Sequence, residues 1–348
     1  MDYQGGGDPV DLATWGLHCY CPTARRTPHA VIAEGSNGRL LYEARSGVTR
    51  QTLHERGVPV TNEQVAQLSE FGLLYIDAEV LRTAFPVLGR AESTALRRQV
   101  RPLGEVLAGR LATQVVAVRR ELDRMDLGDS TYAIVFGYAL DGLVWDRLAR
   151  NGAVPDTTLS PARPWWTGAF WAVYPARESA AGTNFVDCGT ATLVQVWTTA
   201  TVARLAALAT AAGLPDVVRG LVETIGAAPS NEVIDATGVT WRLRRPNGRP
   251  AIPVVGINGP LDQVACQLAD AVADALAGSD TAAARAIVPC DDVAIATVVV
   301  AHELIWDITE ALIADRTLDP PATLMASRTG DEAPTELLFA RIHNAAAP

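Results

Sequence analysis

The chain contains no lysine. All 29 basic residues are arginine, set against 39 acidic residues, and the formal net charge over 348 residues is −10. This absence removes whole reaction classes. No Schiff base can form with pyridoxal phosphate or a carbonyl substrate, and no lysine can pair with nucleotide phosphates in a P-loop or a kinase-type site. Arginine cannot replace it as base or nucleophile, because it stays protonated. With the alanine-rich segments, the all-arginine cation set points to a very GC-rich bacterial genome. Cysteine is also scarce. Cys19, Cys21, Cys188, Cys266 and Cys290 are odd in number and irregularly spaced, which is no disulfide framework. The most apolar run, Val293 to Ala301, falls far short of the ~20 residues that span a bilayer. The start, MDYQGGGDPVDL, has neither the basic nor the apolar region of a signal peptide. A cytoplasmic protein with reduced thiols is expected. The acidic balance speaks against generic binding to DNA or to anionic membrane.

What remains is ordinary globular material. Apolar residues make up 49% and charged residues 20%, far from the regime of disorder. The length suggests about two domains. Strands and helices do not alternate strictly, so the expected fold class is α+β rather than a doubly wound sheet. Residues 1–45 are expected to hold a mobile Gly-rich start and a β-hairpin, His29–Ala33 and Arg39–Ala44, turning at Gly35-Ser36-Asn37-Gly38. Residues 127–348 are expected to form an α+β ligand-binding or catalytic domain. It includes a buried helix over Tyr132–Ala149, a strand over Thr190–Trp197 and helices at 199–212 and 216–225. A hairpin through Pro246-Asn247-Gly248, a helix opened by Pro260, a long helix over 293–314 and a closing strand at 337–343 complete it.

Between them, residues 46–126 have another rhythm. RQTLHERG makes a short helix ended by Gly57. Thr61 caps a second helix, Gln64 completes a capping box, and Gly72 ends it. LLYIDAEVLRTAFPVL then reads as two short strands around Asp77-Ala78. Helix, bend, helix and β-wing over about residues 46–89 resemble a winged helix-turn-helix. A helical hairpin packed on the core is the alternative. Next come a short helix around Glu92–Val100 and a longer one opened by Pro102. Leu103, Val106, Leu107, Leu111, Val115, Val118 and Leu122 form an apolar stripe on the longer helix. That helix either covers its own core or pairs two subunits as a homodimer.

A winged helix that reads DNA needs arginine on its second helix. The outward face here offers Asn62, Glu63, Gln64, Gln67 and Glu70 instead. From Arg45 to Arg124 there are 12 arginines against 9 acids, and they cluster at Arg97, Arg98 and Arg101 and at Arg119, Arg120 and Arg124. Asn62, Gln64, Gln67, Arg97, Arg98 and Arg101 are therefore the candidate partner-binding residues, with a peptide or protein favoured over DNA.

Three of the eight tryptophans lie in RPWWTGAFWAVYP. Trp165, Trp166 and Trp171, with Arg177 and Asn184, are candidates to line a small-molecule or peptide pocket. The favoured alternative is that the tryptophans fill the core, where large aromatics bury most area. On the long C-terminal helix, His302, Glu303 and Asp307 are the candidate catalytic groups of an acid–base enzyme. Carboxylates at Glu303, Asp307 and Glu310 can raise one another's pKa or hold a cation, or form a solvated face. The zinc-protease pattern fails because Trp306 stands where a second histidine belongs. His18-Cys19-Tyr20-Cys21 with His29 has ligand types for zinc at poor spacing. No metal and no cofactor are expected. Gly256-Ile257-Asn258-Gly259 before Pro260 is a strand-to-helix turn that can present N–H groups to an anion. The leading expectation is a binding protein; the alternative is a specialised-metabolism enzyme.

Overall fold

The computed structural model describes residues 7–223, 233–236, 239–278, 281–321 and 333–343. It is a mixed α+β protein, with small sheets and many helices. Two compact units each gather separate stretches of chain: 1–102, 148–177 and 276–304 in the first, 103–147, 178–275 and 305–348 in the second. Among the described residues no single helix is long and apolar enough to cross a membrane.

The first unit opens with β1 (Gly16–Tyr20), then α1 (Pro28–Ile32) and α2 (Asn37–Ala44). Two helices thus occupy the stretch expected to be a β-hairpin. Short apolar runs do not separate strand from helix by pattern alone, and tertiary packing decides. Leu40, Leu41 and Ala44 bury one helical face. The Asn37 side chain donates to the Val31 carbonyl at 2.7 Å, which ties α2 to α1 instead of turning a hairpin.

β2 (Val48–Thr49), α3 (Arg50–Glu55) and α4 (Asn62–Glu70) follow, then β3 (Leu74–Asp77) and β4 (Val80–Thr83). The three strands form one antiparallel sheet in the order β2-β4-β3. The Thr61 hydroxyl accepts from the Gln64 N–H at 3.1 Å and the Gln64 side chain accepts from the Thr61 N–H at 3.4 Å, closing the capping box. Gly72, at φ 67°, ends the helix where a side chain would be strained. Val65, Leu68, Phe71, Leu73, Leu74 and Leu81 share a core with Leu40, Leu53, Trp166 and Phe170.

β5 (Val87–Leu88) pairs parallel, and β1 antiparallel, with the central β6 (Ala169–Val173). The expected pair of helices after the hairpin is a single one, α5 (Arg90–Asp123). Pro102 lies inside it on an exposed position, where the carbonyl it leaves without an N–H partner meets water. Val106 points out, 49% exposed, because the buried stripe runs through Leu107, Leu111, Val115, Val118 and Leu122.

The expected helix over Tyr132–Ala149 is in two parts, a π-helical segment Ala133–Leu143 and α6 (Val144–Arg150). In the second unit, β7 (Ala181–Asp187) and β8 (Ala191–Thr198) begin a four-stranded sheet. α7 (Val202–Ala209) and α8 (Leu214–Glu223) follow, so residues 224 and 225 of the expected helix lie outside the described residues. β9 (Val233–Ala236) pairs with β10 (Val239–Arg242), and the expected hairpin through Pro246-Asn247-Gly248 is present just beyond β10, where the Ala251 N–H donates to the Leu243 carbonyl and the Arg245 N–H to the Arg249 carbonyl, both at 2.8 Å. β11 (Val254–Val255) leads to α9 (Pro260–Ala277). α10 (Ala282–Arg285), α11 (Val293–Ala314) and β12 (Leu338–Ile342) complete the chain.

The second unit's sheet runs β11-β12-β8-β7. On one face Val196, Phe339 and Thr183 meet the π-helical segment at Gly137, where a Cβ would lie 2.4 Å from Val196. On the other, Leu193, Leu338 and Ala340 pack with Leu205, Leu208, Val218, Leu221 and Trp241.

Candidate functional site

The outward face of the first unit is built on α4 and β3. Of the three partner-binding candidates on α4, two are half-buried and already hydrogen-bonded within the fold. Gln64 donates to Ser36 Oγ at 3.0 Å and Asn37 Oδ1 at 2.9 Å, and Gln67 donates to Glu34 Oε2 at 2.6 Å. Both fasten α4 to the segment around α2 and are spent on the fold. Asn62 stays exposed and accepts from Arg50 Nη1 at 3.0 Å. The exposed acids are Glu63 and Glu70 on α4 and Asp77 and Glu79 at the hairpin tip, and exposed Arg82, opposite Tyr75 in the sheet, and Arg163, near Gly72, stand among them.

β3 is an edge strand. Its Tyr75 and Ile76 side chains are 55% and 52% exposed, a pair that sequence reasoning passed over. The alternation of LLYID carries a weak signal for them, because a strand's outward positions are visible only once its partners are known.

Beside the C-terminal end of α4 is a shallow surface cleft, lined by Glu70, Phe71, Arg163, Pro164, Trp165 and Trp166, whose own space is only about 10 Å³. Trp165 stacks on Phe71 at 6.0 Å between centroids, with its Nε1 3.4 Å from Glu70 Oε1. Trp166 is core, and its indole donates to the Phe71 carbonyl at 2.7 Å. Ligand pockets for small molecules run to roughly 300–1,000 Å³, so this cleft, with room for about one water, is not a small-molecule pocket. The other expected lining residues lie elsewhere. Trp171 is 1% exposed, Arg177 serves Glu303, and Asn184 is exposed on β7 in the second unit. The five residues do not form one pocket.

Also in the first unit, a buried charge cluster surrounds Glu303, which is 2% exposed. Its Oε2 accepts from Arg97 Nε at 3.0 Å and from Arg177 Nε at 3.1 Å and Nη2 at 2.8 Å. Arg97 also donates to the Pro175 carbonyl at 3.0 Å. Arg97 is therefore withdrawn from the partner-binding set, while Arg98 and Arg101 remain exposed on α5. His302 Nδ1 lies 3.6 Å from Glu303 Oε1. Burial alone pushes the Glu303 carboxyl up, but His302, Arg177 and Arg97 overcome it and hold it well below the usual carboxylate range. A carboxylate so strongly held in its ionised form is a poor proton donor and a weak base near pH 7.

His18 joins this cluster from β1. Its ring is 4.5 Å from that of His302 and 5.5 Å from that of Trp171. Burial, reinforced by His302, lowers its pKa well below the ordinary histidine value. No sequence signal pairs His18 with His302, because they are 284 positions apart (302 minus 18) and meet only in the fold.

The acidic row on α11 is neither solvated nor convergent. Asp307 is 4% exposed and packs against Gly104, where a Cβ would lie 2.7 Å from its own. Glu310 accepts from Ser179 Oγ at 3.0 Å. Among the described residues no group of three or more His, Cys, Asp or Glu is placed to hold a metal ion. The turn before α9 is closed by its own chain: Asp262 Oδ2 accepts from the Asn258 N–H at 2.8 Å, and Tyr138 donates its hydroxyl to Asp262. Burial, with Asp262 beside it, pushes the Tyr138 hydroxyl up.

Compared with protein-family models, with curated proteins and with solved structures, the chain matches none.

Proposed function

We propose that this is a cytoplasmic bacterial binding protein in which a winged-helix-like module, about residues 46–89, takes up an extended, basic peptide segment of a partner protein. The likeness rests on the succession α3, α4, β3 and β4 with β2 closing the sheet. The observation that carries the reading is the free edge of β3 with Tyr75 and Ile76 exposed. Edge strands are usually blunted or covered because they template pairing with another chain. A peptide added there gains affinity from main-chain hydrogen bonds and specificity from alternate side chains. The Trp165 cleft adjoins the start of the strand, since Arg163 reaches within 4.0 Å of where a Gly72 Cβ would be. Glu63, Glu70, Asp77 and Glu79 supply the complementary charge for Arg or Lys on the peptide. The same four carboxylates oppose a nucleic-acid backbone.

The enzyme alternative has less support. Glu303 is locked in an ion cluster with Arg97 and Arg177, and Asp307 is 4% exposed.

Fluorescence anisotropy with labelled short extended peptides carrying alternating apolar and arginine residues, beside a labelled DNA duplex, tests the proposal. Peptide binding that weakens about tenfold or more in Ile76→Lys, with no duplex binding, is expected. Duplex binding without peptide binding, or peptide binding indifferent to Tyr75→Ser and Ile76→Lys, overturns it.

A further inference from the structure

The second unit's sheet ends on one side at β7, a seven-residue strand paired along its whole length with β8. Its other edge meets no strand among the described residues. Two bonds fix which way its peptide groups point. The Cys188 N–H donates to the Ala191 carbonyl at 2.9 Å, and on the far side of β8 the His343 N–H donates to the Thr190 carbonyl at 3.0 Å. Backbone groups alternate sides along an antiparallel strand. Gly182, Asn184 and Val186 therefore bond to β8, while the N–H and C=O groups of Thr183, Phe185 and Asp187 point to the open edge. No described backbone group bonds to them there.

Natural edge strands are blunted by proline, basic residues, bulges or shortness, because a bare edge templates pairing with another chain. β7 has no proline, lysine or arginine, and its register with β8 is unbroken. Asn184 and Phe185, on opposite faces at its middle, are exposed, Phe185 by 53%. Its single charge, Asp187, stands at its end.

We infer that the open edge of β7 pairs with β7 of a second copy of this chain, antiparallel about a two-fold axis at Phe185. The strand is complementary to itself in that register. Phe185 stands opposite Phe185 of the second copy, and Thr183 stands opposite Asp187 on either side of it. Each of these pairs exchanges two hydrogen bonds, so all three outward residues are used. Ala181, 6% exposed, stays outside the ladder. The exposed ring is covered by its own counterpart, and a cross-strand aromatic pair is among the stabilising ones. On the other face Asn184 comes opposite Val186.

Charge sets the direction. Antiparallel pairing separates the two Asp187 carboxylates by four residues, about 14 Å along the strands, beyond the ~8 Å screening length of physiological salt. Parallel pairing in register sets them side by side. One carboxylate at the strand's end, against four around β3, gives a basic peptide little to select. A closed two-fold contact is also the commonest way for one patch to satisfy itself. β3 and β7 belong to different units, and the inference does not depend on the peptide proposal.

The test uses the full-length protein. Sedimentation velocity over a micromolar concentration series is expected to show a species of twice the 36.9 kDa chain mass. Phe185→Lys places like charges directly opposite each other. It is expected to weaken self-association at least about tenfold with an unchanged circular dichroism spectrum. Phe185→Cys is expected to give a covalent dimer under mild oxidation, mapped by mass spectrometry to the two introduced thiols. Directly paired positions hold their Cα atoms about 5.5 Å apart, a usual disulfide spacing. Asn184→Cys, which faces Val186 instead of its own counterpart, is expected to stay uncrosslinked. A monomer at every concentration, leaving the edge to a different protein, overturns the inference. So does a dimer that Phe185→Lys leaves intact, or one that crosslinks through position 184 alone. The wild-type sedimentation decides even where a variant fails to fold.

Discussion

Glu303→Gln isolates the value of the buried charge cluster. The substitution keeps the shape of the side chain and removes its charge, leaving Arg97 and Arg177 facing a neutral amide. Both guanidinium groups are well covered, with side chains 19% and 10% exposed against 2% for Glu303. Breaking a buried pair by removing one partner costs about 3–5 kcal/mol, because the remaining charge is left uncompensated. Each kcal/mol moves the midpoint by about 2–4 °C in units of roughly 150–250 residues, so thermal unfolding should fall by about 6–20 °C. The triple variant Arg97→Met, Arg177→Met, Glu303→Leu should recover most of this, since apolar replacement of a whole buried ion cluster is often neutral or stabilising by about 1–4 kcal/mol. It also removes the hydrogen bond to the Pro175 carbonyl, a loss of about 1 kcal/mol. Urea unfolding followed by far-ultraviolet circular dichroism measures both variants. A Glu303→Gln protein within about 1 kcal/mol of the parent, or a triple variant as unstable as the single, refutes the reasoning.

Stability should also fall on mild acidification. Burial lowers the pKa of His18 and of His29 from the ordinary histidine value of 6.5, so below it the unfolded chain binds more protons than the folded one. Their cost is absent above pH 6.5 and grows as pH falls from there toward the lower folded values; His18→Gln should flatten that part of a Tm-against-pH curve, and an unchanged curve counts against it. Glu303, whose folded pKa is depressed, contributes stability that is present above its unfolded value near 4.5 and lost as pH falls further. Glu303→Gln should remove this more acidic component and leave the histidine component in place. At Gly104 a Cβ would press 2.7 Å from that of Asp307 and 3.2 Å from its backbone carbonyl carbon. Gly104→Ala should therefore destabilise by about 1–3 kcal/mol by overpacking despite its better helix propensity, and a rise in the urea midpoint would contradict that contact.

Local chemistry made much of the element list legible. The Thr61–Gln64 capping box, Gly72 as a stop, Pro260 at the head of α9 and the long apolar helix α11 are each written within a few consecutive residues. The α1–α2 pair was not. Its apolar residues are too few for a period to show, and Gly35-Ser36-Asn37-Gly38 carries the composition of a hairpin turn although Gly35 and Ser36 link two helices and Asn37 and Gly38 open the second. Pro102 suggested a helix start, yet α5 runs through it, because the buried stripe Leu107, Leu111, Val115, Val118 and Leu122 offsets the ~3 kcal/mol that a proline costs inside a helix. For the candidate site, Trp165, Trp166, Arg97, Arg177, His302 and Glu303 were all noticed as chemically capable, but their groupings were not. Trp165 and Trp166 belong with Phe71, and Arg97 and Arg177 belong with Glu303.

Composition alone excluded lysine chemistry, because the chain has no lysine, while the odd count and irregular spacing of the five cysteines and the shortness of the apolar runs spoke against a disulfide framework and a long apolar span. Spacing alone located the amphipathic helices, because a helix repeats over distances shorter than the helix itself. Which arginine is buried, which carboxylate keeps its charge, which strand forms an edge and which histidines face one another depended on contacts between residues far apart in the chain. Such contacts set burial and local field together, and no window of neighbouring residues contains either.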